Sequence, residues 1–316
     1  MEALVTGVLA GSRVHVARAL SHVESGDSVG LELLRRIGPS VRGIPVIGLV
    51  GPPGAGKSTL VARLVAEFMS RGKRVAVLAV DPSSPITGGA VLGDRVRLTG
   101  VVSHDQVFFR SLASRGALGA IARNVRAMTR VLDAAGFDVI LIETVGAGQS
   151  DVEIMSVADL VVVVVTPDFG DSIQAVKAGL LEIGDLYVVN KSDNPAANAM
   201  KITLESMLTG RKGAVVLKTV AATGAGVSEL ATRMLAQFEE LSRSGELERR
   251  RARIFEKEVV EAALSELQES LRELMRSESV TEWLGSEIKA GAEPRDLARR
   301  VIRTLLERKT AELRAG

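Results

Sequence analysis

The 316-residue chain has no cysteine. That excludes disulfides, thiolate metal sites and cysteine nucleophiles, and it fits a reducing compartment. Aromatic residues make up only 3%, with one Trp and one Tyr, so the core must be packed from aliphatic side chains and intrinsic fluorescence will be weak. The three histidines, His15, His22 and His104, are scattered, which argues against a multi-histidine metal site and leaves each a surface or core-rim role. Long apolar runs are missing as well. The strongest, Leu160–Val165, has the length of a strand and not of a membrane span. The first ten residues are apolar but carry Glu2 and no basic leader, so they do not read as a signal peptide, and the expected location is the cytoplasm with no membrane partner. The formal charge of +2 leaves little net excess, although arginines gather in Arg249-Arg250-Arg251-Ala252-Arg253 and Arg299-Arg300-Val301-Ile302-Arg303. Glutamates interspersed among them favour solvated helix faces over a nucleic-acid patch, and no nucleic-acid partner is expected.

What is present suits a globular chain of one large or two modest domains, with 46% hydrophobic and 25% charged residues. Residues 1–40 read as a helical extension. Val14 to Val23 is periodic, Gly26 breaks it, Ser28 is placed to cap a second helix through Ile37, and Gly38-Pro39 ends that one. Residues 41–240 alternate apolar, β-rich runs with amphipathic stretches. The runs are Val46–Val50, Val75–Val80, Gln106–Arg110, Val139–Glu143, Leu160–Thr166, Leu186–Asn190 and Val215–Thr219. That alternation predicts an α/β domain, a mostly parallel sheet with helices on both faces and its loops gathered along the carboxyl edge. Residues 241–316 lack strand signals. Glu246 to Arg276 and Pro294 to Arg314 are long, charged and helix-favouring, and their apolar stripe must cover either the parent domain or a second subunit.

Two short segments carry the chemistry. Gly51-Pro52-Pro53-Gly54-Ala55-Gly56-Lys57-Ser58 fits the G-x-x-x-x-G-K-S phosphate loop, whose backbone N–H groups close around phosphates while Lys57 reaches their oxygens and Ser58 is placed for magnesium. It follows the apolar run Ile44–Val50 and leads through Thr59 into an amphipathic stretch, the strand-to-helix setting that phosphate binding requires. Asn190-Lys191-Ser192-Asp193 fits N-K-x-D, in which a carboxylate at the position of Asp193 accepts hydrogen bonds from guanine N1–H and the 2-amino group. Adenine has no such donor pair, so the two segments together imply GTP and GDP. Thr219-Val220-Ala221-Ala222 follows the last run and is expected to frame the base, with the Ala221 N–H on guanine O6.

Acids lie between these anchors. Asp81 closes the second run, and Asp94 sits among the glycines of Gly88–Arg95, so both are candidates for a magnesium site built from oxygens; an ordinary Asp-Pro turn is the other reading of Asp81. Glu143 ends the fourth run with Gly146 three positions later, where many G proteins carry D-x-x-G. The longer acid leaves open whether Glu143 would meet the metal directly or through water. Gln149 is a candidate to orient the attacking water, although in Ras the glutamine directly follows the glycine. No arginine is identifiable from the sequence as a cis finger, Arg95 and Arg115 being the ones to consider, so slow intrinsic hydrolysis is expected.

With these motifs in order, the chain resembles the MeaB/ArgK group of G proteins, the methylmalonyl-CoA mutase-associated GTPases related to the human methylmalonic aciduria type A protein. The resemblance is carried by Leu20–Ser25, Val80–Pro85, Thr87–Arg95, Ser114–Gly119 and, most specifically, Ile142-Glu143-Thr144-Val145-Gly146-Ala147-Gly148-Gln149-Ser150. It implies a P-loop NTPase G domain with an N-terminal helical extension and a C-terminal helical arm used for homodimerisation. It also implies a GTPase that gates adenosylcobalamin delivery to an acyl-CoA mutase and protects or reactivates that enzyme. Lys57 and Ser58 match the group's phosphate and magnesium positions, and Asp81, Asp94 and Glu143 match its metal-site acids. Asp168, Asp171 and Gln174 match a loop used as a switch toward the mutase, although Thr166-Pro167-Asp168-Phe169 departs from the group's usual segment there. Two other functions compete with this reading. Metal delivery is opposed by the lack of cysteine, and an ATP-using kinase linked to amino-acid transport is opposed by Asn190–Asp193.

Overall fold

The computed structural model describes residues 1–82, 104–114, 120–144, 156–167, 180–211 and 213–315. Seven strands, β1 (Val46–Val50), β2 (Val75–Pro82), β3 (Val107–Ser114), β4 (Val139–Thr144), β5 (Leu160–Val165), β6 (Leu186–Val189) and β7 (Val215–Lys218), form one sheet in the order β3-β2-β4-β1-β5-β6-β7. Every pairing is parallel. Parallel strands covered on both faces need apolar side chains at successive positions, which is why these runs show little polar alternation. Every residue of β1, β4, β5 and β6 is buried.

The period of two divides the interior into two cores. Ile47, Leu49, Leu141, Val162 and Val188 pack with helices α4 (Lys57–Ser70) and α7 (Val227–Arg243). Val46, Val50, Ile140, Val161 and Tyr187 pack on the other face with α5 (Ala120–Ala134) and α6 (Ala197–Met207). The N-terminal helices α1 (Glu2–Leu9), α2 (Arg13–Ser25) and α3 (Ser28–Ile37) join that second core through Leu4, Val8, Leu20 and Leu33. The cap of α3 is Asp27, not Ser28: Asp27 has extended backbone angles and its carboxylate accepts the Gly30 N–H at 2.8 Å, whereas Ser28 is already helical. β2 and β3 also extend further than the apolar runs, pairing Asp81 with Ala113 and Pro82 with Ser114.

Three aspartates, Asp133 and Asp159 buried and Asp185 partly buried, tie the amino edge of the sheet together. Asp133 accepts the N–H groups of Arg42, Gly43 and Ile44 at 3.1, 2.7 and 3.2 Å, fixing the entry to β1. Asp159 accepts Val46 N–H at 3.1 Å and two nitrogens of Arg251 at 2.8 and 2.6 Å. Asp185 accepts Val161 N–H at 2.9 Å and Arg250 at 2.8 and 3.1 Å. Arg250 and Arg251 are therefore not on the solvated face expected of their cluster. Burial works against each guanidinium, but the bonds and charge of the aspartates outweigh it, and both pKa values lie above the usual arginine value.

The chain divides into two compact units, Met1–Ala252 and Arg253–Gly316. Helix α8 (Glu246–Arg276) begins in the first and is followed by α9 (Glu278–Lys289) and α10 (Pro294–Ala315). The second unit has a small core of Leu274, Val301 and Leu305, flanked by Leu271, Val280 and Trp283. Arg300 lies 4.7 Å from the Trp283 ring centre and bonds Glu287 at 2.7 Å. Phe255, Val259, Val260, Leu264 and Leu267 of α8 are exposed. No helix among the described residues is long and apolar enough to cross a membrane.

Two outcomes follow from these contacts. Asp159→Ala strands the Val46 N–H and takes the carboxylate from Arg251, leaving its guanidinium only the Gly43 and Ile44 carbonyls, so urea titration is expected to show a loss of about 3 kcal/mol; an unchanged midpoint would refute the clamp. Asp27 is held down to about 2, chiefly by its hydrogen bond with His22 and then by the Gly30 N–H. A carboxyl with a lowered folded pKa stabilises fully above its unfolded value of about 3.9, and that contribution disappears as pH falls toward 2. NMR titration of the Asp27 carboxyl, with the Gly30 amide as a second probe, checks both value and sign.

Candidate nucleotide site

The central strand β1 delivers the phosphate loop at the carboxyl edge, between β4 and β5. Gly51 is obligatory for reasons of space: a Cβ there would lie 1.9 Å from the Val164 carbonyl oxygen, and its φ of 148° disfavours side chains. Gly56, at φ 84°, has the Asn190 amide nitrogen only 2.5 Å from where a Cβ would be. Pro52, Pro53 and Gly54 complete the turn, and Ala55 is buried in the core beneath α4.

Lys57 opens α4 and is only 5% exposed. Its Nζ donates to the carbonyls of Gly51 at 2.8 Å and Pro52 at 3.0 Å, which places the ammonium over the loop. Ser58 donates to Glu143 Oε1 at 2.5 Å, so the loop's hydroxyl and the buried acid at the end of β4 share one spot. The first-turn N–H groups of a helix lack intrahelical acceptors, and together with the helix dipole they favour an anion here.

The guanine loop joins this site through one buried side chain. Asn190 donates to Ala55 O at 2.8 Å, and its Oδ1 accepts from Thr219 Oγ1 at 3.1 Å and Ala221 N at 3.0 Å. The Ala221 N–H expected to meet the base is thus engaged by Asn190, which holds the two recognition loops against the phosphate loop. Lys191 has a positive φ of 54°, an uncommon backbone state that turns the chain back toward Thr219, whose carbonyl accepts Ser192 N–H at 3.0 Å. Asp193 is exposed, and with Gly56, Thr59, Asn190, Pro195 and Ala222 it lines a cavity of about 520 Å³. That volume is in the range of small-ligand sites.

The structure therefore brings together Gly51 to Thr59, Glu143, Asn190, Lys191, Asp193 and Ala221. Asp81 is described only as the strand residue opposite Ala113. Asp94, Gly146, Gln149, Asp168, Asp171, Gln174, Arg95 and Arg115 lie outside the described residues. Thr219 belongs to the segment expected to frame the base, and its hydroxyl orients Asn190; sequence reasoning missed Arg63 of α4, which donates from Nε to Ala221 O at 3.1 Å and from Nη2 to Ala222 O at 2.5 Å. The only signal for Arg63 was its place on the polar face of the helix that begins at Lys57.

A parallel sheet whose central strand feeds a phosphate loop, with a guanine-type loop closing on it, defines a P-loop nucleotide-binding protein of the G-protein class. The chain belongs to the family described as methylmalonyl-CoA mutase-associated GTPase MeaB, whose model matches residues 16–276. A putative GTPase of Pyrococcus abyssi is 41% identical over 267 residues, covering 82% of each chain. The mitochondrial methylmalonic aciduria type A homolog of Caenorhabditis briggsae is 32% identical over 275 residues, covering 79% of this chain and 67% of that protein. A crystal structure described as an LAO/AO transport system kinase superposes with a TM-score of 0.69 at 25% identity, covering 96% of this chain and 97% of the other. The protein is accordingly a GTPase that binds GTP and GDP.

Gly51→Ala is expected to abolish nucleotide binding and lower thermal stability together, because the added methyl meets a backbone carbonyl that cannot retreat without breaking the β1–β5 pairing. A variant that binds nucleotide normally in a calorimetric titration would refute that geometry.

Proposed function

We propose that GTP hydrolysis by this chain gates the delivery of adenosylcobalamin to an acyl-CoA mutase, methylmalonyl-CoA mutase or a close relative, and helps protect or reactivate that enzyme. The observation that carries the reading is the joined site, with Ser58 bonded to Glu143 and Asn190 holding both recognition loops, in a chain of the mutase-associated family. Lys57 neutralises phosphate charge, and the first-turn amides of α4 orient the phosphates for in-line attack. Asp193 selects guanine by accepting from its N1–H and 2-amino group.

Ser58 and Glu143 present adjacent hard oxygens beside the phosphate position, a donor set that fits magnesium. They would hold the ion, with Asp81 and Asp94 as further candidates, and when bound it would neutralise charge on the phosphates. Gly146 is assigned to the γ-phosphate, Gln149 to the attacking water, and the loop of Asp168, Asp171 and Gln174 to the mutase. A switch of this kind acts by ordering loops in one nucleotide state only, so a partner that favours that state accelerates hydrolysis. The exposed apolar residues Phe255, Val259, Val260, Leu264 and Leu267 of α8 support a homodimer in which a second copy covers them.

Turnover of GTP and ATP, measured with and without a purified adenosylcobalamin-dependent mutase, tests the reading. GTP preference and a mutase-dependent change in rate are expected; equal use of ATP, or indifference to every mutase tried, refutes it. Lys57→Ala should lower turnover by about 100-fold. Leu264→Glu with Leu267→Glu should convert a dimer to a monomer in analytical ultracentrifugation, and a wild-type chain that sediments as a monomer would remove the dimer.

A further inference from the structure

Helix α4 does more than present Lys57. Arg63, Glu67 and Arg71 recur at i, i+4 and i+8 and therefore share one face. Each reaches the segment that follows β7. Arg63 donates to the carbonyls of Ala221 and Ala222, Glu67 accepts from Ser228 Oγ at 2.9 Å, and Arg71 donates to Ser228 O at 2.9 Å and Thr232 Oγ1 at 3.0 Å. Glu67 also bonds Arg71 at 2.7 Å, and those bonds, first from Arg71 and then from Ser228, hold its carboxyl below the usual range.

The upper rung differs from the other two, because it grips a recognition loop instead of a helix. The Ala221 amide is held on one side by Asn190 and its carbonyl on the other by Arg63. Peptides here are trans, and in a trans peptide the carbonyl and the following N–H point in opposite directions. Drawing Ala221 C=O toward α4 thus turns the Ala222 N–H away from the helix. Ala222 lines the cavity beside Asp193, whereas Arg63 does not line it.

We propose that Arg63 is a positioning residue for guanine recognition: by bridging the carbonyls of Ala221 and Ala222 it sets the Ala222 N–H as a donor to the 6-oxo group of the base. The proposal rests on the assignment of Asn190–Asp193 as the guanine loop. A guanidinium suits the task because its planar fork supplies two donors with fixed spacing, whereas an ammonium is a single point charge. The two readers then divide the base. Asp193 senses the N1 and N2 edge, and the loop held by Arg63 senses O6.

The test compares Arg63→Ala, Arg63→Lys and Arg71→Ala in the full chain, with Asp193→Asn as the reference for the guanine loop. Binding of GTP, inosine triphosphate and ATP is measured by calorimetry, alongside kcat at saturating GTP and thermal melting. Arg63→Ala should weaken GTP and inosine triphosphate alike, by about tenfold. ATP binding and kcat should stay within about twofold, so the loss appears in KM. Arg63→Lys should recover part of the affinity. Arg71→Ala removes contacts between the same helices without touching the base loop, so it should lower the melting temperature and leave GTP-over-ATP preference unchanged. Normal base preference in Arg63→Ala overturns the proposal, as does an equal loss of preference in Arg71→Ala, which would make the effect general loosening. If Asp193→Asn also keeps its preference for GTP, the guanine-loop assignment itself fails.

Discussion

Everything at the carboxyl edge depends on one buried amide. Asn190 donates to the phosphate loop through Ala55 O and accepts from the last loop through Thr219 and Ala221, so three segments distant in sequence become one site. A buried amide whose donor and acceptor ends are both paired is worth more than its separate bonds, since losing it would strand partners on each side. Gly56 must be glycine partly because this amide occupies the space its side chain would need. Base and phosphate recognition are thereby mechanically linked before any nucleotide arrives.

The opposite edge is built from charges with no part in the chemistry. Asp133, Asp159 and Asp185 pair with strand-entry amides, and Arg250 and Arg251 close two of those clusters from the start of α8. Parallel sheets leave strand-entry N–H groups without ladder partners, and these carboxylates satisfy them. The two edges therefore divide labour. Polar groups at the amino edge secure strand entry, and those at the carboxyl edge are arranged around the ligand.

Much of this was legible in the sequence because buried parallel strands are short, apolar and rich in valine and isoleucine, and Leu160–Val165 has no other sensible reading. Gly51–Ser58 and Asn190–Asp193 were legible because few backbones tolerate their chemistry. Tertiary partners were not. Asp27 and Ser28 are both good caps, and only the backbone angles decide between them. Arg250 and Arg251 looked like surface charge because their aspartates lie 65 and 92 residues away. Arg63 gave no motif at all, since its acceptors are backbone carbonyls, which every residue carries.

The scarcity of aromatic residues acquires a use once the two units are separated. Trp283 belongs to the helical unit, beside the Arg300 guanidinium, while Tyr187 is fully buried in the nucleotide-binding unit, its hydroxyl donating to the carbonyls of Leu181 and Gly184. The chain thus carries one indole and one phenol in different compact units. Red-edge excitation isolates the indole, so unlabelled wild-type protein can report the surroundings of Trp283 in the helical unit separately from the circular-dichroism signal of the whole.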